Sequence, residues 1–217
     1  MRRSAFVVFF LAALAAAALA FEKTQTLSLP AEGLAKLEVT AGAGFLRVSG
    51  VEGARAVEVK AEIVVSGVAD KDMDEYIKDH VELELRKAGR AAVLVGRIRE
   101  HGFSFIPREA RVDLTVTLPK SLAVEIDDGS GEIAVSDVAG GVRIKDGSGS
   151  IEVRNVGGGL WIDDGSGGIS LTKIGGTVTV DDGSGSLDID DVGKDVRIRH
   201  KGSGNVNITN VRGKVIR

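Results

Sequence analysis

Asp128-Gly129-Ser130-Gly131 returns as Asp146-Gly147-Ser148-Gly149, Asp164-Gly165-Ser166-Gly167 and Asp182-Gly183-Ser184-Gly185 at a constant step, and an altered fifth copy, Lys201-Gly202-Ser203-Gly204, arrives one position late. A fixed period of roughly 20 residues marks one structural unit stacked on itself. Aliphatic residues keep step with the motif. One column runs Ile133, Ile151, Ile169, Leu187, Val206 and a second runs Val135, Val153, Leu171, Ile189, Ile208. Three more follow: Val138 to Val211, Val124 to Val215, and Ile126, Ile144, Ile162, Val180, Ile198. Each unit therefore reads as two short strands with apolar residues at every second position, joined by two turns. Two such strands bury nothing alone. Stacked about 4.8 Å apart, they form a continuous aliphatic ladder. The expectation is an all-β fold, a β-solenoid or parallel β-helix with 18-residue rungs over 121–217. Antiparallel hairpins are the rival arrangement.

The glycines fit turns that need positive φ and close backbone approach. The turn serines lack a partner base, because His80, His101 and His200 do not repeat with the motif. That speaks against a serine hydrolase, and no Gly-Lys-Ser/Thr phosphate loop is present. No catalytic residue and no resident cofactor is expected. The aspartates are the sharpest chemical feature. Asp128, Asp146, Asp164 and Asp182 form one column ending in Lys201; Asp127, Lys145, Asp163, Asp181 and Arg199 form the next. Two bare carboxylates one strand apart repel by about 0.9 kcal/mol in water and more near protein. The plain expectation is that each first-column aspartate bonds a backbone N–H two residues on, as an Asx-turn, with Lys145, Arg199 and Lys201 neutralising neighbours. The alternative is a calcium ladder of oxygen ligands, as in a β-roll, with the same four aspartates as metal ligands.

Upstream, Arg2-Arg3, an uncharged apolar run and Ala18-Leu19-Ala20 read as a signal peptide over 1–20, with an uncleaved anchor as the alternative. Cysteine is absent, which excludes disulfides, thiolate metal sites and lipoprotein attachment. An exported, cysteine-free chain fits the bacterial periplasm, cell surface or exterior. The net charge of −3 gives no basic footprint for nucleic acid. From 21 to 120 the chain reads as an irregular β-rich segment, continuous with the repeat as one domain. Gly44 to Val59 reads as a degenerate first rung, Asp70 to Lys78 as a short helix, and 81–86, 91–99 and 111–118 as strands. The loop 100–109 carries Phe103, Phe105 and Ile106 beside His101, as a binding tip or a cover for an open sheet end. Trp161 falls on the polar side of its strand, aligned with Arg143, Thr179 and Arg197. An outward Trp beside arginines is a candidate partner-binding site. The basic residues at the last unit, Lys201 among them, read as guards against end-to-end stacking.

Taken together, Gly44-Phe45-Leu46-Arg47-Val48-Ser49-Gly50-Val51, the Leu118-Pro119 strand end and the Asp-Gly-Ser-Gly repeats resemble the bacterial adhesin-type β-strand-repeat family of unknown function. The resemblance covers Leu37 to Arg217 and implies a cell-envelope β-solenoid with no catalytic motif to carry over. The function expected is a non-enzymatic envelope protein that binds or scaffolds an envelope protein or polysaccharide. The alternatives are the calcium-stabilised β-roll and a polysaccharide-cutting β-helix enzyme, whose carboxylate cluster should break the repeat.

Overall fold

The computed structural model describes residues 21–68, 70–99 and 110–217. The expected signal peptide and the aromatic loop with Phe103 and Phe105 lie outside the described residues. Seven strands precede the repeat: β1 (Phe21–Pro30), β2 (Lys36–Ala41), β3 (Leu46–Val51), β4 (Ala56–Val65), β5 (Val81–Ala88), β6 (Ala91–Ile98) and β7 (Ala110–Pro119). Between β4 and β5 a 3₁₀ turn leads into the helix α1 (Met73–His80), which buries Met73 and Ile77. The repeat supplies β8 (Ala123–Asp128), β9 (Gly131–Val138), β10 (Val142–Asp146), β11 (Gly149–Val156), β12 (Leu160–Asp164) and β13 (Ile169–Ile174). It continues with β14 (Val178–Ser184), β15 (Leu187–Val192), β16 (Val196–Ser203), β17 (Val206–Val211) and β18 (Val215–Ile216).

The strands form two nine-stranded sheets, ordered β1-β4-β7-β3-β9-β11-β13-β15-β17 and β18-β16-β14-β12-β10-β8-β2-β6-β5. Through the repeat every pairing is parallel, and all are in register apart from one shift between β14 and β16. Val142 lies beside Leu160, Leu160 beside Val178, and Ile151 beside Ile169. This excludes the antiparallel-hairpin arrangement for the repeat. The five expected aliphatic columns point inward and are buried through Val192 and Val196. At the last unit Val206, Ile208 and Val211 are only partly covered, and Val215 is exposed.

Upstream, the structure corrects the reading of the first rung. Strands β2 and β3 do lie under the repeat, with Leu37 beside Val124, Val39 beside Ile126 and Val48 beside Val135. Ala56–Val59 does not continue that unit. It belongs to β4, which runs antiparallel between β1 and β7. The apolar alternation of β4 serves either arrangement, and only its partner decides between them.

The second turn of each unit contains a feature the sequence hides. Asp137, Asn155, Lys173, Asp191 and Asn210 all adopt left-handed backbone, with φ between 53 and 61°. Each precedes the last inward aliphatic of its strand, and each is skipped in the pairing, as where Arg154 opposes Thr172 and Val156 opposes Ile174. The skipped residue turns the chain so that two apolar residues three apart both face the core. Asn and Asp tolerate this conformation; Lys173 has no such local compensation.

The Gly-Ser-Gly turns stack backbone on backbone. A Cβ on Gly147 would sit 2.4 Å from the Gly129 carbonyl oxygen, whereas the nearest atom to one on Gly129 is Gly42 Cα at 3.8 Å. The two glycines hold the same place in the motif and differ only in having a preceding copy. Gly147→Ala should therefore cost at least about 2 kcal/mol while Gly129→Ala stays within about 0.5 kcal/mol. Chemical denaturation of both variants checks this; equal losses would contradict the stacking.

Candidate functional site

The inward alternation does not stop at the aliphatics. On β8 the buried positions are Val124, Ile126 and Asp128; on β10, Val142, Ile144 and Asp146; on β12, Leu160, Ile162 and Asp164; on β14, Val178, Val180 and Asp182. The four aspartates are exposed by only 4, 6, 3 and 0%. They stack in register, Asp128 beside Asp146, Asp146 beside Asp164 and Asp164 beside Asp182. The column of turn aspartates is therefore a buried one.

The Asx-turn bonding is met only in part: the N–H groups two residues on, of Ser130, Ser148 and Ser166, favour the ionised forms of Asp128, Asp146 and Asp164 but are not aligned into full hydrogen bonds. Asp128 Oδ1 accepts the N–H of the next residue, Gly129, at 2.9 Å. No well-aligned hydrogen bond closes on Asp128 Oδ2 or on either oxygen of Asp146, Asp164 and Asp182, although Asp182 Oδ2 has an ion-pair partner in Lys201. The reason lies in the stacking. The N–H groups of Gly147 and Gly165 are taken by the main-chain oxygens of Asp128 and Asp146, one unit back, at 3.1 and 3.0 Å. Gly129 has no earlier copy, so its N–H is left for its own side chain. By contrast Asp113, also buried, is satisfied by the Phe45 N–H at 3.0 Å and by Arg111 Nε at 3.1 Å.

The column ends in a cation. A bulge after Val180 absorbs the extra residue of the last step, so Asp182 pairs with Lys201 and Asp181 with His200. The second column thus closes on His200, not Arg199. Lys201 is no surface guard; its side chain is 10% exposed, and its Nζ lies 3.2 Å from Asp182 Oδ2. The same Nζ donates to Gly185 O at 2.8 Å and Ser203 O at 2.6 Å. In the outer column Lys145 lies in register between Asp127 and Asp163 but closes no ion pair with either.

Burial pushes the Asp128 pKa up to about 7, with the charge of Asp146 adding to it and the N–H groups of Gly129 and Ser130 opposing. Burial, then the charges of Asp146 and Asp182, push Asp164 up to about 6. Burial also raises Asp146, against the N–H groups of Ser148 and Gly147.

On the outer face of the second sheet, one row of side chains crosses the strands: Glu38, Glu125, Arg143, Trp161, Thr179 and Arg197. The Arg143 guanidinium lies 4.3 Å over the Trp161 ring. Arg197 pairs with Asp195 at 3.2 Å, and Glu125 with Lys36 at 3.0 Å. Around this row runs an open groove of about 500 Å³ lined by Glu125, Arg143, Trp161, Thr177, Thr179 and Arg197. The structure thus brings Trp161, Arg143 and Arg197 together as the alignment anticipates.

Residues 51–216 match the family described as Toastrack DUF4097. The chain belongs to that family. Among solved structures, the Toastrack chain is similar to a proposed cell adhesion protein from Clostridium sporogenes, at 16% identity and a TM-score of 0.52, covering 87% of this chain and 99% of that one. That likeness shows the fold. A proposed lipid-binding protein from Parabacteroides distasonis matches at 15% identity, TM-score 0.37, over 90% of this chain and 97% of that one. A proposed adhesin from Bacteroides fragilis matches at 12% identity, TM-score 0.26, over 89% and 96%. No curated protein matches the chain.

The rest of the Toastrack chain offers little chemistry among its described residues. His200 Nδ1 stands 3.9 Å from Asp181 Oδ1 on the surface, with no serine hydroxyl bonded to it. No three His, Asp or Glu side chains gather as a metal cage. Among the described residues no helix is long and apolar enough to cross a membrane. The missed site is the inward column itself. Its signal is parity: Asp128 falls on the same alternation as Val124 and Ile126.

The raised pKa values set a sign for pH. Below about pH 4 the folded and unfolded chains both hold these protons. As pH rises toward 7 the unfolded chain ionises first while the folded chain keeps its protons, so this contribution to stability is lost. In chelator-containing buffer, wild type should lose on the order of 2–4 kcal/mol relative to Asp128→Asn between about pH 4.5 and 7.5. Urea melts of both proteins across that range measure the difference; a constant difference would refute the buried placement.

Proposed function

We propose that the chain is a non-enzymatic, adhesin-like β-solenoid of the bacterial cell envelope, built from 18-residue rungs, that binds an acidic envelope polysaccharide on its Trp161 face. The in-register parallel pairing supports the solenoid reading. The observation that carries the binding reading is the Arg143–Trp161 stack at the centre of an open groove. An indole held flat by a guanidinium offers an apolar platform to a sugar ring, and a stacked Arg remains able to pair with a carboxylate. Arg143 has no carboxylate partner of its own among the described residues. Glu125 and Thr179 add polar groups in the same row, which suits hydroxyl-rich ligands. A face that runs across several strands suits an extended polymer. The charge census fits neither nucleic acid nor a membrane surface. Export is supported by the basic start and apolar run of the sequence.

The test is binding to acidic and neutral envelope polysaccharides by biolayer interferometry. Trp161→Ala and Arg143→Ala should each weaken binding to the acidic polymers about tenfold or more, a loss typical of a central contact. Their melting temperatures should match the wild type. Binding that ignores both substitutions, or that prefers a neutral polymer equally, overturns the reading.

A further inference from the structure

The Lys201 ammonium marks a cation pocket. It is held inside the turn stack by three oxygens: Asp182 Oδ2 at 3.2 Å, Gly185 O at 2.8 Å and Ser203 O at 2.6 Å. These oxygens recur. The turn bond from Gly185 N to Ser203 O repeats as Gly167 N to Ser184 O, Gly149 N to Ser166 O and Gly131 N to Ser148 O, all between 2.8 and 3.0 Å. One unit back from Lys201, the corresponding oxygens are those of Asp164, Gly167 and Ser184. Two units back they belong to Asp146, Gly149 and Ser166, and three back to Asp128, Gly131 and Ser148. In these units the place of Lys201 is taken by another aspartate, so the pocket loses its built-in ammonium and gains a second carboxylate. The carboxylate oxygens there are the buried ones without partners.

We propose that the aspartate column binds calcium between successive units, each ion held by two stacked aspartates and the main-chain carbonyls of the adjoining Gly-Ser-Gly turns. The donors are all hard oxygens, which select calcium or magnesium over thiophilic metals. Strand spacing separates these two. Neighbouring strands lie about 4.8 Å apart, so an ion midway between stacked carboxylates meets oxygens at about 2.4 Å, within the calcium range of about 2.3–2.6 Å. Magnesium needs about 2.0–2.1 Å and a near-ideal octahedron, which this spacing does not supply. Asp128 and Asp146 form the strongest candidate pair, because Lys201 already serves Asp182 at the far end. Two carboxylates and carbonyl oxygens make a file of two-carboxylate sites. This is why no cage of three acidic side chains is found among the described residues.

The experiment is calcium titration of the EDTA-stripped full chain at pH 8 by calorimetry, with parallel thermal melts in EDTA, calcium or magnesium. Calcium at about a hundredfold excess over its Kd should raise the melting midpoint by about 5–10 °C, and magnesium by much less. Asp146→Asn keeps the shape and removes a charge shared by two pockets. It should melt no lower than wild type in EDTA and lose most of the calcium shift. Lys201→Asp extends the column by one carboxylate; it should melt lower than wild type in EDTA and show a larger calcium shift. No heat and no shift with the wild type overturns the proposal. So does an equal response to magnesium. A calcium shift that survives in Asp128→Asn/Asp146→Asn/Asp164→Asn, which leaves no pair of stacked carboxylates, also overturns it, by placing the ion on the exposed outer column.

Discussion

Parallel pairing at a spacing of one repeat places each residue on its counterpart in the next unit, and along the inward columns like falls on like. For aliphatic residues the result is favourable throughout. Ile144 sits between Ile126 and Ile162, and each is excluded from water. Burying such a side chain is worth about 1.5–3 kcal/mol, and the columns repeat that gain at each step. The same constraint forbids a Cβ on the stacked turn glycines, because each approaches the carbonyl of the copy before it. It also leaves each column with two ends. At the C-terminal end the aliphatics of β17 and β18 lose cover. At the other, β2 and β3 provide it, with β1, β4, β5, β6 and β7 extending both sheets.

Carboxylates obey the constraint as well, and for them it is costly. Asp128 to Asp182 follow the inward parity and are stacked out of water with few bonds. Ionised and isolated, they would oppose the fold that the aliphatics drive. Something must neutralise them, and protons and cations are the two means available. The fifth unit shows the second means in covalent form: a lysine replaces the aspartate, and a one-residue bulge aligns it with Asp182. The proposed calcium between units would extend that solution to the positions the chain leaves anionic. The exposed face has separate chemistry, since the Arg143–Trp161 stack points outward from the same strands.

The repeat was legible because stacking writes itself into the sequence as period, a constant step from unit to unit and strict alternation within a strand. The Trp161 row was legible for the same reason, as a position within the period. The orientation of Asp128 is hidden in the sequence, because Asp-Gly also opens turns and turn chemistry masks its parity with Ile126. The bulge at the fifth unit was half visible, as a last step one position longer than the others. Which residue left the register, and so whether Arg199 or His200 faces Asp181, depends on backbone hydrogen bonds. The fate of Ala56–Val59 was illegible for a different reason. Alternation sets which face is buried and is silent on the direction of the partner strand. The left-handed column from Asp137 to Asn210 escaped notice because Lys173 breaks its Asx character.

The Toastrack chain carries two separate chemistries, the Arg143–Trp161 stack on its outer face and the buried aspartate column in its interior. That column is the part of the account most open to direct observation. Carbon-detected NMR of the aspartate carboxyl groups, in chelator and across pH 3 to 9, follows each proton individually. Asp128 should titrate near pH 7 and Asp164 near pH 6. If both titrate near the ordinary value of about 3.9, the carboxylates are solvated, and the buried column does not exist in solution.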